Sequence, residues 1–183
     1  PGHHCEKANP MGFCFFNNIA IAAYHALTHH KLERVAIIDF DVHHGNGTEN
    51  ICAGDDRILM CSIFQHPFYP YSGTDKPADN MVNVPLPGGS GGEELQQAVL
   101  ESWIPRLEAF KPQMIFISAG FDAHYEDDMA NLKWQESDYA WIANELRQIA
   151  NRSAKGRIVA CLEGGYAHSA LGRSVVAMLK AWL

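Results

Sequence analysis

Apolar residues fall along this chain in two rhythms. The first is short unbroken runs: Arg34 to Ile38, Ile58 to Ile63, Gln113 to Ser118 and Arg157 to Leu162. Runs of this length, rich in β-branched residues and free of polar breaks inside, predict strands buried on both faces. The second rhythm has the helical period. Ile19, Ala22, Ala23, Ala26 and Leu27 predict a helix from Ile19 to His30, capped by Asn17 or Asn18. Tyr139, Ile142, Ala143, Leu146 and Ile149 form one stripe of a helix from Glu136 to Ser153. Ser90 and Glu93 have the spacing of a capping box for a helix from Glu94 to Phe110, which Pro105 should kink or divide. Ser169 is expected to cap a last helix running to Leu183, and Val82 to Val84 to form a short strand inside the Pro- and Gly-rich stretch Gln65 to Gly92.

Strands alternating with helices predict an α/β fold, a parallel sheet with helices on both faces. Such sheets bind ligands beyond the carboxyl ends of their strands. Polar residues gather there: Asp39, Asp41 and His43 after the first strand, Asp122 after the third, Gly164-Gly165-Tyr166 after the fourth. If the extended backbone continues past Ile38, Asp39, Asp41 and His43 all point to one face. Gly45 and Gly47 then allow a sharp turn. One acid after one strand is commonly a cap; three segments delivering such residues to one edge point to a site.

Composition narrows the function. A length of 183 residues suits one domain. The net charge of -7 argues against non-specific nucleic-acid binding and leaves room for a cationic substrate. No apolar run is long enough to span a bilayer. Five cysteines without a close pair favour free thiols, hence a cytoplasmic setting, over a disulfide framework. The chain opens Pro-Gly-His-His, and we expect a fragment lacking an N-terminal part, with an aggregation-prone open sheet edge.

Asp and His donors without thiolate suit zinc or another divalent ion such as ferrous iron. Position alone leaves open which of Asp39, Asp41, His43, His44 and Asp122 bind it. The glycine run Gly88 to Gly92 lacks the Lys-Ser/Thr ending and the preceding strand of a phosphate loop, which excludes that reading. A metal beside spare histidines and a tyrosine is equipped for hydrolysis. His3 and His4, taken alone, read as surface histidines of a solvated loop more readily than as a site.

Five motifs in order, Pro1-Gly2-His3-His4, Gly12 to Asn18, Asp39 to Thr48, Ala119 to His124 and Glu163-Gly164-Gly165-Tyr166, resemble the zinc-dependent histone deacetylase family. The likeness spans essentially the whole chain. It is closest to the class II-like and bacterial branch, with its acetylpolyamine amidohydrolases and acetoin-utilisation proteins. The resemblance implies one zinc per chain on Asp41, His43 and Asp122. It implies His3 and His4 as the tandem proton-moving histidines, Asp39 as the partner of His3, and Asn46 as the partner of His4 where other members carry aspartate. Tyr166 matches the tyrosine that stabilises the transition state. Gly12, Phe13, Tyr69, Gly164 and Gly165 match the substrate channel. Asp39, Asp41, His43 and Ser62 match a potassium site. The implied substrates are acetylated lysine peptides, polyamines or similar amines, and a homo-oligomer is left open. The rival expectations are a silent acyl-lysine-binding module and a two-metal hydrolase of the arginase-like fold.

Overall fold

The computed structural model describes residues 1–183. In chain order the elements are α1 (Asn18–Thr28), β1 (Val35–Asp39), α2 (Asn46–Cys52), β2 (Ile58–Gln65), β3 (Met81–Leu86) and α3 (Gly92–Ala98). A π-helical turn (Val99–Trp103), α4 (Ile104–Phe110), β4 (Ile115–Ala119), α5 (Glu136–Ser153), β5 (Ile158–Leu162) and α6 (His168–Trp182) follow. The strands form one parallel sheet in the order β3-β2-β1-β4-β5. The predicted architecture is therefore the observed one.

The sheet is packed on both faces, which is why its central strands read as unbroken apolar runs. On one face Ile19, Ala20, Ala23, Ala26 and Leu27 of α1 meet Val35, Ile37, Ile58, Met60 and Phe116. On the other, Ala36, Ile38, Leu59, Cys61, Ile115 and Ile117 are covered by Leu95, Val99, Trp103, Leu107, Tyr139, Ile142 and Leu146. Burying one such Leu or Ile contributes about 1.5–3 kcal/mol. β5 is an edge: Val159 and Leu162 are 39% and 49% exposed. Asn17 caps α1 through Oδ1, which accepts from Ala20 N at 3.0 Å, while its Nδ2 donates to Cys5 O and Thr48 Oγ1. One buried amide thus ties the His3-His4 segment to two helices.

Several expectations change. The helix expected from Glu94 to Phe110 is divided, as Pro105 predicts: proline clashes with the carbonyl four residues earlier, and the π-helical turn Val99–Trp103 just ahead of it absorbs the misfit. Its cap shifts by one residue. Gly91 N donates to Glu94 Oε2 at 2.8 Å, whereas Ser90 Oγ donates to Pro87 O. Ser169 does not cap α6. It accepts from Arg173, and the N–H groups of Tyr166 and Ala167 are instead taken by Asp127 Oδ2 at 2.7 and 3.0 Å. The strand around Val82 to Val84 is longer, Met81–Leu86. Helix α2 was not predicted.

Candidate metal centre and catalytic site

β1 and β4 are adjacent and end in register, Asp39 opposite Ser118. Their following turns therefore meet. β1 stops at Asp39, so the expected extended run to His43 does not form. Asp41 Oδ1 accepts the N–H of His43 at 2.8 Å, a side-chain turn that swings the His43 ring beside Asp41. Asp39 then points elsewhere, to His3. Asp41 and His43 converge instead on Asp122: His43 Nδ1 lies 3.0 Å from Asp41 Oδ1 and 3.3 Å from Asp122 Oδ2.

These three residues are the chain's best ligand set. Asp41 and Asp122 are buried, and their ligand atoms lie within 4.8 Å of one another and of His43. Other contacts aim the carboxylates. Gly164 N donates to Asp41 Oδ2 at 2.7 Å and Val42 N to Asp122 Oδ1 at 3.0 Å. Asp122 Oδ2 is buried and has only the 3.3 Å approach of His43 Nδ1, a donor it shares with Asp41 Oδ1, so a divalent cation would complete its surroundings. Burial and the Asp41 carboxylate push Asp122 up to about 6. Burial opposes charge on His43, but its bonds to Asp122 and Asp41 prevail and raise it to about 9. A proton therefore sits on His43 between two carboxylates, where a cation would sit. The donor set fits zinc. Ser62, across from Asp39 in the register of β1 and β2, has a buried hydroxyl without a hydrogen-bond partner.

The two tandem histidines are treated oppositely by their surroundings. His3 Nδ1 lies 2.9 Å from Asp39 Oδ2, and both groups are buried. Burial alone would depress His3, yet Asp39 and Asp41 outweigh it and hold the ring well above its ordinary value. His4 meets Asn46 Oδ1 at 2.8 Å. Burial and repulsion from His3 push it down to about 3. The surroundings thus push the two adjacent rings in opposite directions, the pattern expected where neighbouring groups are given different roles.

Both histidines, Asp41 and His43 open into a cavity of about 610 Å³, with Gly12, Phe13, Cys14, Phe68, Tyr69, Met129, Gly164 and Tyr166 on its walls. Phe68 stacks on His43 at 5.3 Å and Tyr69 stands edge-on to His4 at 5.2 Å. Phe13 is 89% exposed at the mouth, in a left-handed backbone conformation with φ 63°. Burial and the charges of Asp122 and Asp41 push the Tyr166 hydroxyl up to about 12, so it stays a donor. Of the expected channel residues, Gly12, Phe13, Tyr69 and Gly164 line the cavity. Gly165 does not: it packs on Leu171 and Phe121, with φ 138°. Asn46 stands behind His4 and His44 pairs with Glu49 at 2.7 Å, away from the ligand set.

Three acids escaped the sequence reading. Glu163 is buried; Oε2 accepts from Gly2 N at 2.6 Å and His3 N at 3.3 Å, and Oε1 from Ser118 Oγ at 2.9 Å. It pins the tandem-histidine segment to the sheet. Asp127 fixes the backbone of Tyr166. Glu6 holds Asn46. Their partners lie 161, 39 and 40 residues away, so no local spacing announces them. A second cluster of possible ligands, His124, Glu126 and Glu136, has its groups engaged by their own neighbours. His124 Nδ1 accepts from Glu126 N, which leaves the proton on Nε2, the nitrogen that faces Glu136. Arg173 already neutralises both carboxylates.

The parallel α/β sheet thus gathers an Asp-His-Asp cluster, tandem histidines and a tyrosine at its carboxyl edge. The chain belongs to the histone deacetylase family: the histone deacetylase domain matches residues 1–182. It is 43% identical over 191 residues to histone deacetylase 14, chloroplastic, of Arabidopsis thaliana, covering 100% of this chain and 45% of that protein. It is 40% identical over 176 residues to a histone deacetylase-like amidohydrolase of Pseudomonas aeruginosa, covering 92% and 46%. The crystal structure of the HDA15 HD domain superposes with a TM-score of 0.92 at 33% identity, covering 100% of this chain and 53% of that one. The chain spans about half the length of these relatives. No helix is long and apolar enough to cross a membrane.

Proposed function

We propose that the protein is a zinc-dependent amidohydrolase that removes acetyl, or a related acyl group, from a primary amine. The amine belongs to a lysine side chain, a polyamine or a small metabolite. The observation that carries this is geometric: the tandem pair, His3 bonded to Asp39 and His4 to Asn46, faces the Asp41-His43-Asp122 centre and Tyr166 across one aromatic-walled cavity.

Zinc bound by Asp41, His43 and Asp122 would polarise the amide carbonyl and acidify a water. The rest belongs to the chain. Neutral His4 takes the proton of the attacking water. Tyr166 donates its hydroxyl hydrogen to the developing oxyanion. His4 then passes its proton to the departing amine. His3, held by Asp39, keeps its ring fixed beside the reacting atoms. Phe13, Phe68 and Tyr69 shield the aliphatic stem of the acylated amine from water. A potassium ion on Asp39, Asp41, His43 and Ser62 would support the centre from beneath. The five free cysteines suit a reducing compartment such as the cytoplasm, although two of the matched plant relatives are named chloroplastic.

The test is turnover of an acetyl-lysine peptide and an acetylated polyamine. Tyr166→Phe is expected to lower kcat by about 100-fold or more with zinc content unchanged. Asp122→Ala is expected to lose the metal. Unchanged turnover in the first variant contradicts the oxyanion role, and full occupancy in the second contradicts the ligand assignment. A silent acyl-lysine-binding module would bind the peptide and release nothing.

A further inference from the structure

A histidine accepts a proton only through a ring nitrogen that carries none. Which nitrogen is protonated follows from the hydrogen bond made by the other. For His4 that bond is to Asn46, with Nδ1 and Oδ1 2.8 Å apart. An asparagine is an ambiguous partner, because its amide presents an acceptor on one side and a donor on the other. With Oδ1 toward His4, Nδ1 holds the proton and Nε2 is free to take another. With the amide turned over, Nδ1 becomes the acceptor, the proton moves to Nε2, and the base is lost. A carboxylate at position 46 would carry no such ambiguity.

Something must therefore hold the Asn46 amide one way round. Asn46 opens α2, and its Nδ2 faces two acceptors: Glu6 Oε1 at 3.0 Å and Met11 Sδ at 3.2 Å. A carboxylate has no hydrogen to give. Turning the amide over would set Asn46 Oδ1 against Glu6 and lose both bonds at once. Glu6 lies two residues beyond His4, in a turn closed by Glu6 N donating to Asn9 O. It thus approaches Asn46 from the same segment that carries His4. Glu6 is half-buried on the wall of a separate cavity of about 370 Å³ that it shares with Asn46, so it has room to be replaced.

We propose that Glu6 is a positioning residue: it orients the Asn46 amide, which sets the proton-accepting tautomer of His4. This rests on the reading of His4 as the base, and the two parts have separate readouts. Nitrogen chemical shifts of the histidines in the metal-free protein report the His4 tautomer without any turnover. Wild type is expected with the proton on Nδ1, and Glu6→Leu with a large share on Nε2. Glu6→Leu should lower kcat by about tenfold or more and leave KM near its original value. Glu6→Gln, which keeps an acceptor toward Asn46, should retain most activity.

Asn46→Asp gives the sharper result. Alone, it sets a second carboxylate against Glu6 and should lower activity. Combined with Glu6→Leu, it supplies an acceptor that cannot turn over and meets no repulsion. The double variant should therefore exceed both single variants. An unchanged His4 tautomer in Glu6→Leu, or a double variant no better than its parents, overturns the proposal. A shifted tautomer with undiminished turnover supports the positioning by Glu6 and overturns the reading of His4 as base. If Glu6→Leu does not fold, Asn46→Asp as active as wild type is itself contradictory.

Discussion

Gly164 is the residue whose replacement probes the metal centre most cleanly. Its backbone lies against both carboxylates of the ligand set. A Cβ placed there would fall inside the Asp122 carboxylate, 2.7 Å from its Cγ and 2.7 Å from Asp41 Oδ2. Ordinary contact begins at 3.4 Å. Gly164 does not need a left-handed conformation, so Gly164→Ala adds no backbone strain, and the Gly164 N–H to Asp41 remains available. The whole effect must fall on the carboxylates. Zinc–oxygen bonds are about 2.0–2.2 Å, and a working site tolerates displacements of about 0.2 Å. A carboxylate that retreats by more than this is no longer a ligand at its original strength. Disturbing a residue behind a ligand costs about 10–100-fold in affinity, and moving the ligand itself should cost at least the upper figure, about 2.7 kcal/mol. Competition with a zinc-selective chelator measures this directly. Wild-type affinity in Gly164→Ala would refute the placement of the metal between Asp41, His43 and Asp122.

Gly12→Ala should give the complementary phenotype. Its Cβ would lie 2.6 Å from His4 Cγ, and its φ of 55° disfavours any side chain; the shift of His4 should cost about 100-fold in kcat/KM, with zinc affinity retained. Loss of zinc instead would show that the two halves of the site are not separable. Zinc uptake should also release protons. His43 is protonated below about 9 in the metal-free site and must give up that proton to bind, so affinity should rise with pH up to that value. Calorimetric titration in buffers of different ionisation enthalpy checks this, and uptake without proton release would contradict it.

The strands and the long helices were legible because burial on both faces keeps β1, β2 and β4 largely apolar, and because α5 keeps a clean stripe over 18 residues. Helix α2 was not: Asn46–Cys52 has seven residues, two turns with a glycine at the second position, too short for a period to emerge. The α3 cap was off by one residue because Ser90/Glu93 and Gly91/Glu94 share one spacing, and only the pull of Pro87 O on Ser90 Oγ decides between them. In the site, Asp41, His43, Asp122 and Tyr166 could be read from their places after the strands. The bend at Asp41 could not, since an extended backbone would have served the same pattern. Glu163, Asp127 and Glu6 act through backbone or amide groups far away in sequence, and Met129 reaches the cavity from a loop with no pattern of its own.

The central claim is a one-zinc amidohydrolase, and zinc titration of the metal-free protein tests it most directly. Bound metal and release of product from an acetyl-lysine peptide and an acetylated polyamine should be followed together. Turnover that appears with zinc and saturates near one ion per chain is the predicted result, and the preferred substrate identifies the natural amine class. Saturation with two ions per chain would favour a two-metal hydrolase of the arginase-like kind. Stoichiometric zinc without turnover of either substrate would contradict the amidohydrolase assignment.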